Sequence, residues 1–305
     1  MHLLCPRKTH NGPSPPELKA SISPSINEPT RGDSHAETEI SRIGDCLRIG
    51  IITGLFDRKF EYRRLLVRTK LFGQNNEWAL RVERDETNIE RILKERLTRT
   101  SHCVDIGAHQ GVFLKQFLSL SPDGHHVAIE PLPDFASELR INFPTVDVFS
   151  CALGENPGQA TFCYVRNFPA WSGFRSQRYP VEADVTEILI DVSRLDDLLP
   201  AEGRVDFIKI DVEGAEFEVL QGAKNIIKRC KPDILFEHAQ IHNLKYGTGP
   251  EMIHDLPCTE CGLGIYSLDG VGPLSRREFK RIYVSSADTN YDRNGQTNFL
   301  AKKIT

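Results

Sequence analysis

The stretch His102-Cys-Val-Asp-Ile-Gly-Ala-His-Gln-Gly111 decides the fold of this chain. A short apolar run enters a turn with two glycines, and the residues that follow, 112 to 120, are apolar and helix-like. A strand, a turn and a helix in this order predict the first half of a βαβ unit. Gly107 and Gly111 are expected to let backbone N–H groups approach a ligand at the N-terminus of the helix.

Further strand candidates alternate with helical segments along the chain. They lie at residues 126–130, 146–151, 207–211 and 234–237, and a helix is expected at 215–228. Two more strand candidates, at 279–285 and 297–304, are expected to pair antiparallel at the sheet edge. This order predicts an α/β fold with a mostly parallel sheet, whose ligand binds at the carboxyl ends of the strands.

Three regions differ in composition. Residues 1–40 are rich in proline and polar side chains and predict a disordered tail. Residues 41–100 predict an N-terminal helical or cap segment, with a basic cluster at 58–70 and an amphipathic helix at 86–99. The remaining residues, 101–305, are interpreted as the catalytic domain.

Composition and charge exclude several classes of protein. The 305 residues include 38 Lys and Arg against 42 Asp and Glu, a net charge of −4 that disfavours broad nucleic-acid binding. No apolar run is long enough for a transmembrane helix, and the first residues do not resemble a secretion signal. The eight cysteines are interpreted as reduced thiols in a cytoplasmic protein.

The pattern His254-x₃-Cys258-x₂-Cys261 lacks a second ligand pair, so no metal is predicted.

The first turn indicates which cofactor binds. A dinucleotide fingerprint would need glycines where His109 and Val112 stand, so binding of a pyrophosphate is not predicted. Asp105, two residues before the first glycine, would repel a pyrophosphate and suits a cationic ligand such as S-adenosylmethionine (SAM). Glu130, at the end of the next strand, is placed to bind both ribose hydroxyls.

A second group of charged residues surrounds the fourth strand. Strand alternation puts Lys209 and Asp211 on one face, and a lysine in an apolar strand should be paired because an unpaired buried charge is costly. We expect a pair between Lys209 and an acid that lines the site, with Asp211 or Glu213 touching substrate or cofactor. Glu216 is interpreted as an acid that complements the dipole of the next helix.

From 103 to 304 the chain resembles the FkbM-type SAM-dependent methyltransferases. The motifs that carry this resemblance are the turn Asp105–Gly111, Glu130-Pro-Leu-Pro133 with Asn142, Cys151-Ala-Leu-Gly154, Phe207-Ile-Lys-Ile-Asp-Val-Glu-Gly-Ala-Glu216, Leu220, Gly222, Lys231-Pro232, Ile234-Leu-Phe-Glu-His238 and Asn298-Phe-Leu300. The family often has asparagine where His109 stands. Residues 1–100 carry no clear resemblance.

The resemblance implies a class I methyltransferase fold, with a seven-stranded mostly parallel sheet, helices on both faces and an antiparallel edge strand. It implies that the cofactor-binding residues are Asp105, Gly107, Ala108, Gly111 and Glu130, with Ala152 near the adenine. It also implies O-methylation of hydroxyls on natural products and sugars.

Transfer of a methyl group to a hydroxyl needs a base. His238, just past the fifth strand, and Asp211 are the two candidates, with Lys209 beside them. Trp171, in the long segment between 165 and 188, is predicted to belong to a lid that contacts the substrate, although a plain surface loop is equally compatible.

The sequence therefore predicts a SAM-dependent methyltransferase that acts on a hydroxyl of a small molecule or sugar. One alternative is a SAM-binding regulatory protein without catalysis. Another is a methyltransferase of RNA or protein that docks its substrate on the basic 58–70 cluster. An NAD-linked oxidoreductase is disfavoured by the missing glycines.

Overall fold

A computed structural model describes residues 77–176, 182–285 and 296–304. The predicted tail and the basic cluster at 58–70 lie outside the described residues. Over the described residues the strands form one sheet of seven and a second sheet of three. No helix in this described part is both long enough and apolar enough to cross a membrane.

The central sheet consists of β1 (Cys103–Ile106), β2 (His126–Ile129), β3 (Asp147–Phe149), β7 (Phe207–Ile210), β8 (Asp233–Glu237), β9 (Gly264–Ser267) and β10 (Asn298–Lys302). Across the sheet the strand order is β3-β2-β1-β7-β8-β10-β9. β1, β2, β3, β7 and β8 pair in parallel, whereas β10 runs antiparallel to both β8 and β9. The structure confirms the predicted mostly parallel sheet with an antiparallel pair at one edge.

Helices cover both faces of this sheet. One face carries α1 (Glu77–Arg96), α2 (Val112–Leu120) and α3 (Pro133–Asn142). The other carries α4 (Leu195–Leu198), α5 (Glu216–Gly222), α6 (Lys224–Cys230), α8 (Pro250–Asp255) and α9 (Arg276–Ser285). The remaining helix, α7 (Gln240–Asn243), follows β8 directly. Alternate residues of the central strands enter one core or the other, as the two-residue period of a strand requires.

Helix α1 packs into the same core as the sheet. Its residues Ile92 and Leu93 are buried in one cluster with Phe117 of α2 and Phe207 of β7. The described part of the predicted N-terminal segment therefore packs against the predicted catalytic domain. The domain limits at 40 and 100 remain predictions.

Three sequence predictions need correction. Residues 279–285, which were predicted to form a strand, belong to α9, and Phe279 and Tyr283 are buried on one side of it at helical spacing. The edge partner of β10 is instead β9, which the sequence analysis missed. The helix predicted at 215–228 is two helices, which meet at Ala223.

A second sheet lies between β3 and β7 in the chain. It consists of β4 (Ala152–Leu153), β5 (Gly158–Val165) and β6 (Val185–Ser193), and β5 pairs antiparallel with β6 along its length. A single 3₁₀ turn, Pro169–Trp171, follows β5. Gly173 returns to bridge Cys163, so this segment folds back on β5.

We predict that Leu93→Ala lowers the free energy of unfolding by about 2–5 kcal/mol, because it leaves a cavity in the core shared by α1 and the sheet. The control is Ile141→Ala, which truncates a side chain on α3 that is 78% exposed. It should change the free energy of unfolding by less than about 0.5 kcal/mol. Urea unfolding followed by circular dichroism measures the free energy of unfolding of both variants. Equal, small effects would show that α1 is not part of the cooperative core.

Candidate functional site

A cleft opens at the carboxyl ends of β1, β2 and β7. It encloses about 600 Å³, counting the part that is open to solvent. The strand ends contribute Gly107, Glu130, Asp211 and Glu213, while the second sheet and the turn after β5 contribute Ala152, Phe162, Pro169, Ala170, Ser172 and Phe174. This is the edge at which the sequence predicted ligand binding.

The glycines of the first turn are required by close packing. Gly107 has φ of 74°, and a Cβ there would lie 2.1 Å from the carbonyl oxygen of Asp211. Gly111 has φ of 76°, and a Cβ there would lie 2.3 Å from the ring of Phe143. Two N–H groups of the turn, those of Gly107 and Ala108, both donate to the carbonyl of Ile129. The turn is therefore fixed between β2 and β7 by its own backbone.

Glu130 is held by two backbone amides. One carboxylate oxygen accepts from the N–H of His109 at 2.7 Å, and the other accepts from the N–H of Leu132 at 3.0 Å. The ring of His109 stacks on Phe135 with centroids 4.4 Å apart. Glu130 is thus a fixed hydrogen-bond acceptor in the wall of the cleft.

Lys209 joins the ends of β1 and β7. Its Nζ lies 3.2 Å from Oδ1 of Asp105 and 3.8 Å from Oδ2 of Asp211, and it donates to the carbonyl of Gly107 at 2.8 Å. Asp105 and Lys209 are register partners in the parallel ladder and both are buried. The predicted pairing of Lys209 with an acid is therefore present, and it involves two acids.

Glu213 lies in the wall of the cleft with a left-handed backbone. Its φ is 58°, an uncommon value for a residue other than glycine, and such conformations concentrate at functional sites. Its Oε2 lies 3.4 Å from Nδ1 of His242. The next residue, Gly214, has φ of 111° and no room for a Cβ, which would lie 2.4 Å from the carbonyl oxygen of His242.

A buried clamp holds this turn in place. Glu216 accepts from the N–H of Gly214 at 3.0 Å and from the side-chain amide of Asn243 at 2.8 Å, and the same amide also donates to the carbonyl of Gly214. Burial raises the pKa of Glu216 to about 7. Glu216 therefore fixes the turn through its hydrogen bonds. The sequence had suggested only that Glu216 complements the dipole of the helix it begins.

The structure does not bring His238 to the cleft. Its side chain is 1% exposed and stacks on the rings of Phe279 and Tyr283, with centroids 5.5 and 4.6 Å away. Burial lowers its pKa to about 3, which makes the imidazole a weak base. The described residues that line the cleft do not include His238. The prediction of His238 as the general base is corrected on these grounds.

The other predicted residues divide between the cleft and its support. Those in the cleft wall are Gly107, Glu130, Ala152, Asp211 and Glu213. Asp105 and Lys209 form their ion pair in the interior, and Ala108 and Gly111 belong to the first turn. Trp171 contacts the ring of Phe168, with centroids 4.6 Å apart, and its neighbours Pro169 and Ala170 line the cleft. Roles of these residues toward ligands remain predictions.

Sequence reasoning missed the contribution of α7. His242 and Asn243 reach the turn after β7 from a four-residue helix, which is too short for a periodic signal. The β5–β6 hairpin that supplies the apolar wall was also missed. The alternation of apolar and polar residues in β6, which directs Ile188 and Ile190 to one cluster, could have indicated this strand.

Comparison with known proteins gives a family match. Residues 105–262 match the model of the methyltransferase FkbM domain. "Methyltransferase 1" of Beauveria bassiana is 28% identical over 144 residues, which are 40% of this chain and 58% of the relative. The 2-O-methyltransferase NoeI of Sinorhizobium fredii is 28% identical over 145 residues, 42% of this chain and 59% of the relative. The chain thus spans less than two thirds of the length of the curated relatives it matches.

A solved structure, methyltransferase FkbM from Methylobacillus flagellatus, is 19% identical with a TM-score of 0.40. The likeness covers 68% of this chain and 44% of that one.

We predict that Gly107→Ala destabilises the protein more than Gly247→Ala. The two glycines have similar φ values, 74° and 70°, so left-handed strain of about 1 kcal/mol is common to both. A Cβ at Gly247 meets nothing within 4 Å, whereas at Gly107 it meets the carbonyl of Asp211. The extra loss at Gly107 is expected to be about 1–3 kcal/mol in urea unfolding. Equal losses would show that β7 can move away from the first turn.

We also predict that His238→Phe reduces the acid sensitivity of folding. The folded pKa of about 3 lies below the usual value near 6.5, so the unfolded chain binds a proton that the folded chain does not. The free energy of unfolding therefore falls as the pH drops from about 6.5 towards about 3. Urea unfolding at about pH 7 and about pH 5 should show a smaller loss in His238→Phe than in the wild type. Identical losses would show that His238 already binds its proton in the folded state.

Proposed function

Because the chain belongs to the methyltransferase FkbM domain family, we propose that it is a SAM-dependent O-methyltransferase that acts on a hydroxyl of a small molecule or sugar. One observation carries this proposal. The cleft of the family domain places the amide-anchored carboxylate of Glu130 at the end of β2, and two further acids, Asp211 and Glu213, after β7.

The residues of the cleft suit SAM. Glu130 is fixed by the amides of His109 and Leu132 and would accept hydrogen bonds from the ribose hydroxyls. Ala152 and Phe162 belong to an apolar cluster beside it and would contact the adenine. Gly107, Ala108 and Gly111 would shape the turn against the cofactor. Asp105 would contribute indirectly, by holding Lys209 in place through their ion pair.

When bound, SAM would supply a methyl group attached to a sulfonium. After transfer of the methyl group, the sulfur remains as the neutral thioether of S-adenosylhomocysteine (SAH). An acceptor hydroxyl must lose its proton as the new carbon–oxygen bond forms, and Asp211 is the predicted base that lies in the cleft wall. Lys209, at 3.8 Å, would hold the Asp211 carboxylate in position. The turn that contains Pro169 and Ala170 would exclude water from the reacting groups.

The acceptor class is supported by one relative. NoeI is named a 2-O-methyltransferase, which favours a hydroxyl acceptor for this chain. A regulatory protein without catalysis would bind SAM and show no turnover. A methyltransferase of RNA or protein would need a docking surface for its substrate, and the basic cluster proposed for that lies outside the described residues.

Calorimetric titration of the purified chain with SAM, and with NAD as the control, tests the cofactor. Binding of SAM in the micromolar range without binding of NAD is expected. A folded sample that binds no SAM would refute the proposed function. Formation of SAH over a panel of methyl glycosides and phenols then separates an enzyme from a non-catalytic SAM-binding protein.

We predict opposite results for the two candidate bases. Asp211→Asn should lower turnover by about 10²-fold or more, because it removes the proton acceptor, while SAM still binds. His238→Phe should retain turnover close to that of the wild type, because its ring packs in an aromatic stack away from the cleft. SAH formation measures turnover, and calorimetry measures SAM binding. Loss of turnover in His238→Phe with intact SAM binding would reinstate His238 as the base.

A further inference from the structure

One wall of the cleft is a short segment that follows β5. We call residues 169–174 the wall segment, and it begins with the 3₁₀ turn Pro169–Trp171. Its residues that line the cleft are Pro169, Ala170, Ser172 and Phe174. The turn after β7 lines the same cleft with Asp211, Val212 and Glu213. The space open to a ligand therefore depends on how far the wall segment lies from the turn after β7.

The wall segment is bonded to β5 at Gly173. The N–H of Gly173 donates to the carbonyl of Cys163 at 3.1 Å, and its carbonyl accepts from the N–H of Cys163 at 2.8 Å. The hydroxyl of Ser172 accepts from the N–H of Val165 at 3.0 Å. Because a movement of Gly173 away from β5 would break these hydrogen bonds, its backbone has little freedom to shift.

Tyr246 contacts both the wall segment and the turn after β7. It ends the 3₁₀ turn Leu244–Tyr246, which follows α7. A Cβ at Gly214 would lie 2.7 Å from Cε2 of Tyr246, and a Cβ at Gly173 would lie 3.3 Å from its hydroxyl oxygen. The edge of the Tyr246 ring therefore packs on the turn after β7, and the hydroxyl packs on the wall segment.

The hydroxyl end of Tyr246 is enclosed beside the wall segment. The hydroxyl oxygen is buried. Burial raises the pKa of Tyr246, while the backbone amides of Arg175 and Phe174 act in the opposite direction, as amides close to a phenol oxygen do. The ammonium of the neighbouring Lys245 donates to the carbonyl of Arg175 at 3.3 Å. Two adjacent side chains of the 3₁₀ turn therefore meet this end of the wall segment.

Gly173 is placed where a side chain would press on Tyr246. Its φ does not lie in the left-handed region, unlike that of Gly214, so an alanine at position 173 adds no strain of that kind. The added methyl would instead meet the hydroxyl oxygen of Tyr246 at 3.3 Å, which is closer than an ordinary contact of a carbon atom. One methyl group at position 173 can therefore change the spacing between the wall segment and Tyr246.

We propose, on the basis of the proposed function, that Tyr246 is a positioning residue that sets the separation between the wall segment and the turn after β7 for the binding of SAM. Its planar ring acts as a spacer of fixed length between Gly214 and Gly173. Tyr246 is not among the described residues that line the cleft, so it acts through the two segments that it separates.

A double-mutant cycle between Tyr246 and Gly173 tests this spacer, with SAM affinity measured by calorimetry. Gly173→Ala should weaken SAM binding about tenfold, because the methyl presses against the hydroxyl and displaces the wall segment. Tyr246→Phe should weaken it about threefold, because the spacer is shortened. The double variant should bind SAM about as tightly as Tyr246→Phe alone, because phenylalanine leaves room for the methyl. Losses that multiply to about thirtyfold in the double variant would overturn the proposal.

A matched control and a stability measurement separate positioning from general destabilisation. Tyr266→Phe deletes the same hydroxyl group in β9, at the edge of the central sheet, and should leave SAM affinity unchanged. Urea unfolding reports the stability of every variant. Variants at Tyr246 and Gly173 that unfold more readily but bind SAM with wild-type affinity would assign Tyr246 a structural role only and refute the proposal.

Tryptophan fluorescence reports on the wall segment without any ligand. The chain contains two tryptophans, Trp78 and Trp171, so a Trp78→Phe background leaves the signal of Trp171 alone. Acrylamide should quench Trp171 more strongly in Gly173→Ala and Tyr246→Phe than in this background, and equally in Tyr266→Phe. The same quenching in all four proteins would show that Tyr246 does not hold the wall segment.

The titration of the wild type with SAM separates this inference from the proposed function. If the wild type binds no SAM, the proposed function fails and the role of Tyr246 in SAM binding fails with it. If the wild type and all variants bind SAM with equal affinity, the proposed function stands and only the positioning role of Tyr246 is refuted.

Discussion

The ammonium group of Lys209 ties the two central strands of the sheet together at the edge where the cleft opens. It contacts Asp105 of β1 and Asp211 after β7, and it donates to the carbonyl of Gly107. A charge in the interior is tolerated only when it is paired and hydrogen-bonded. Both turns that form the cleft start at these strand ends, so Lys209 fixes the points from which they begin. The backbone of the first turn and the clamp of Glu216 and Asn243 then hold the turns themselves.

Part of this arrangement could be predicted because buried parallel strands are almost continuously apolar. A lysine in such a strand is conspicuous, and the two-residue period places it on the same face as Asp211. The turn from Asp105 to Gly111 and the position of Glu130 were likewise readable from spacing. The pairing of Lys209 with Asp105 could not be predicted, because the register between β1 and β7 depends on residues about a hundred positions apart.

Other parts of the fold escaped sequence reasoning for identifiable reasons. Residues 279–285 contain enough β-branched and aromatic side chains to resemble a strand, yet Ser275 and Glu278 form a capping box that starts a helix. His238 looked like a base because it follows a central strand, but its side chain packs into the aromatic cluster with Phe279 and Tyr283. Neither local propensity nor strand order reveals the direction of a single side chain.

The pairing of β1 with β7 also has a consequence for the order in which the molecule assembles. β1 finds its other neighbour, β2, some twenty residues away, but Cys103 of β1 and its partner Phe207 are separated by the whole β2–β6 region. Contacts of such long range form slowly, because the loop must close before the contact can stabilise it. On the ribosome, the residues that form the half of the cleft with Glu130 are therefore synthesised before those that form the half with Asp211. Until then β1 presents an unpaired edge, which is open to pairing with another nascent chain.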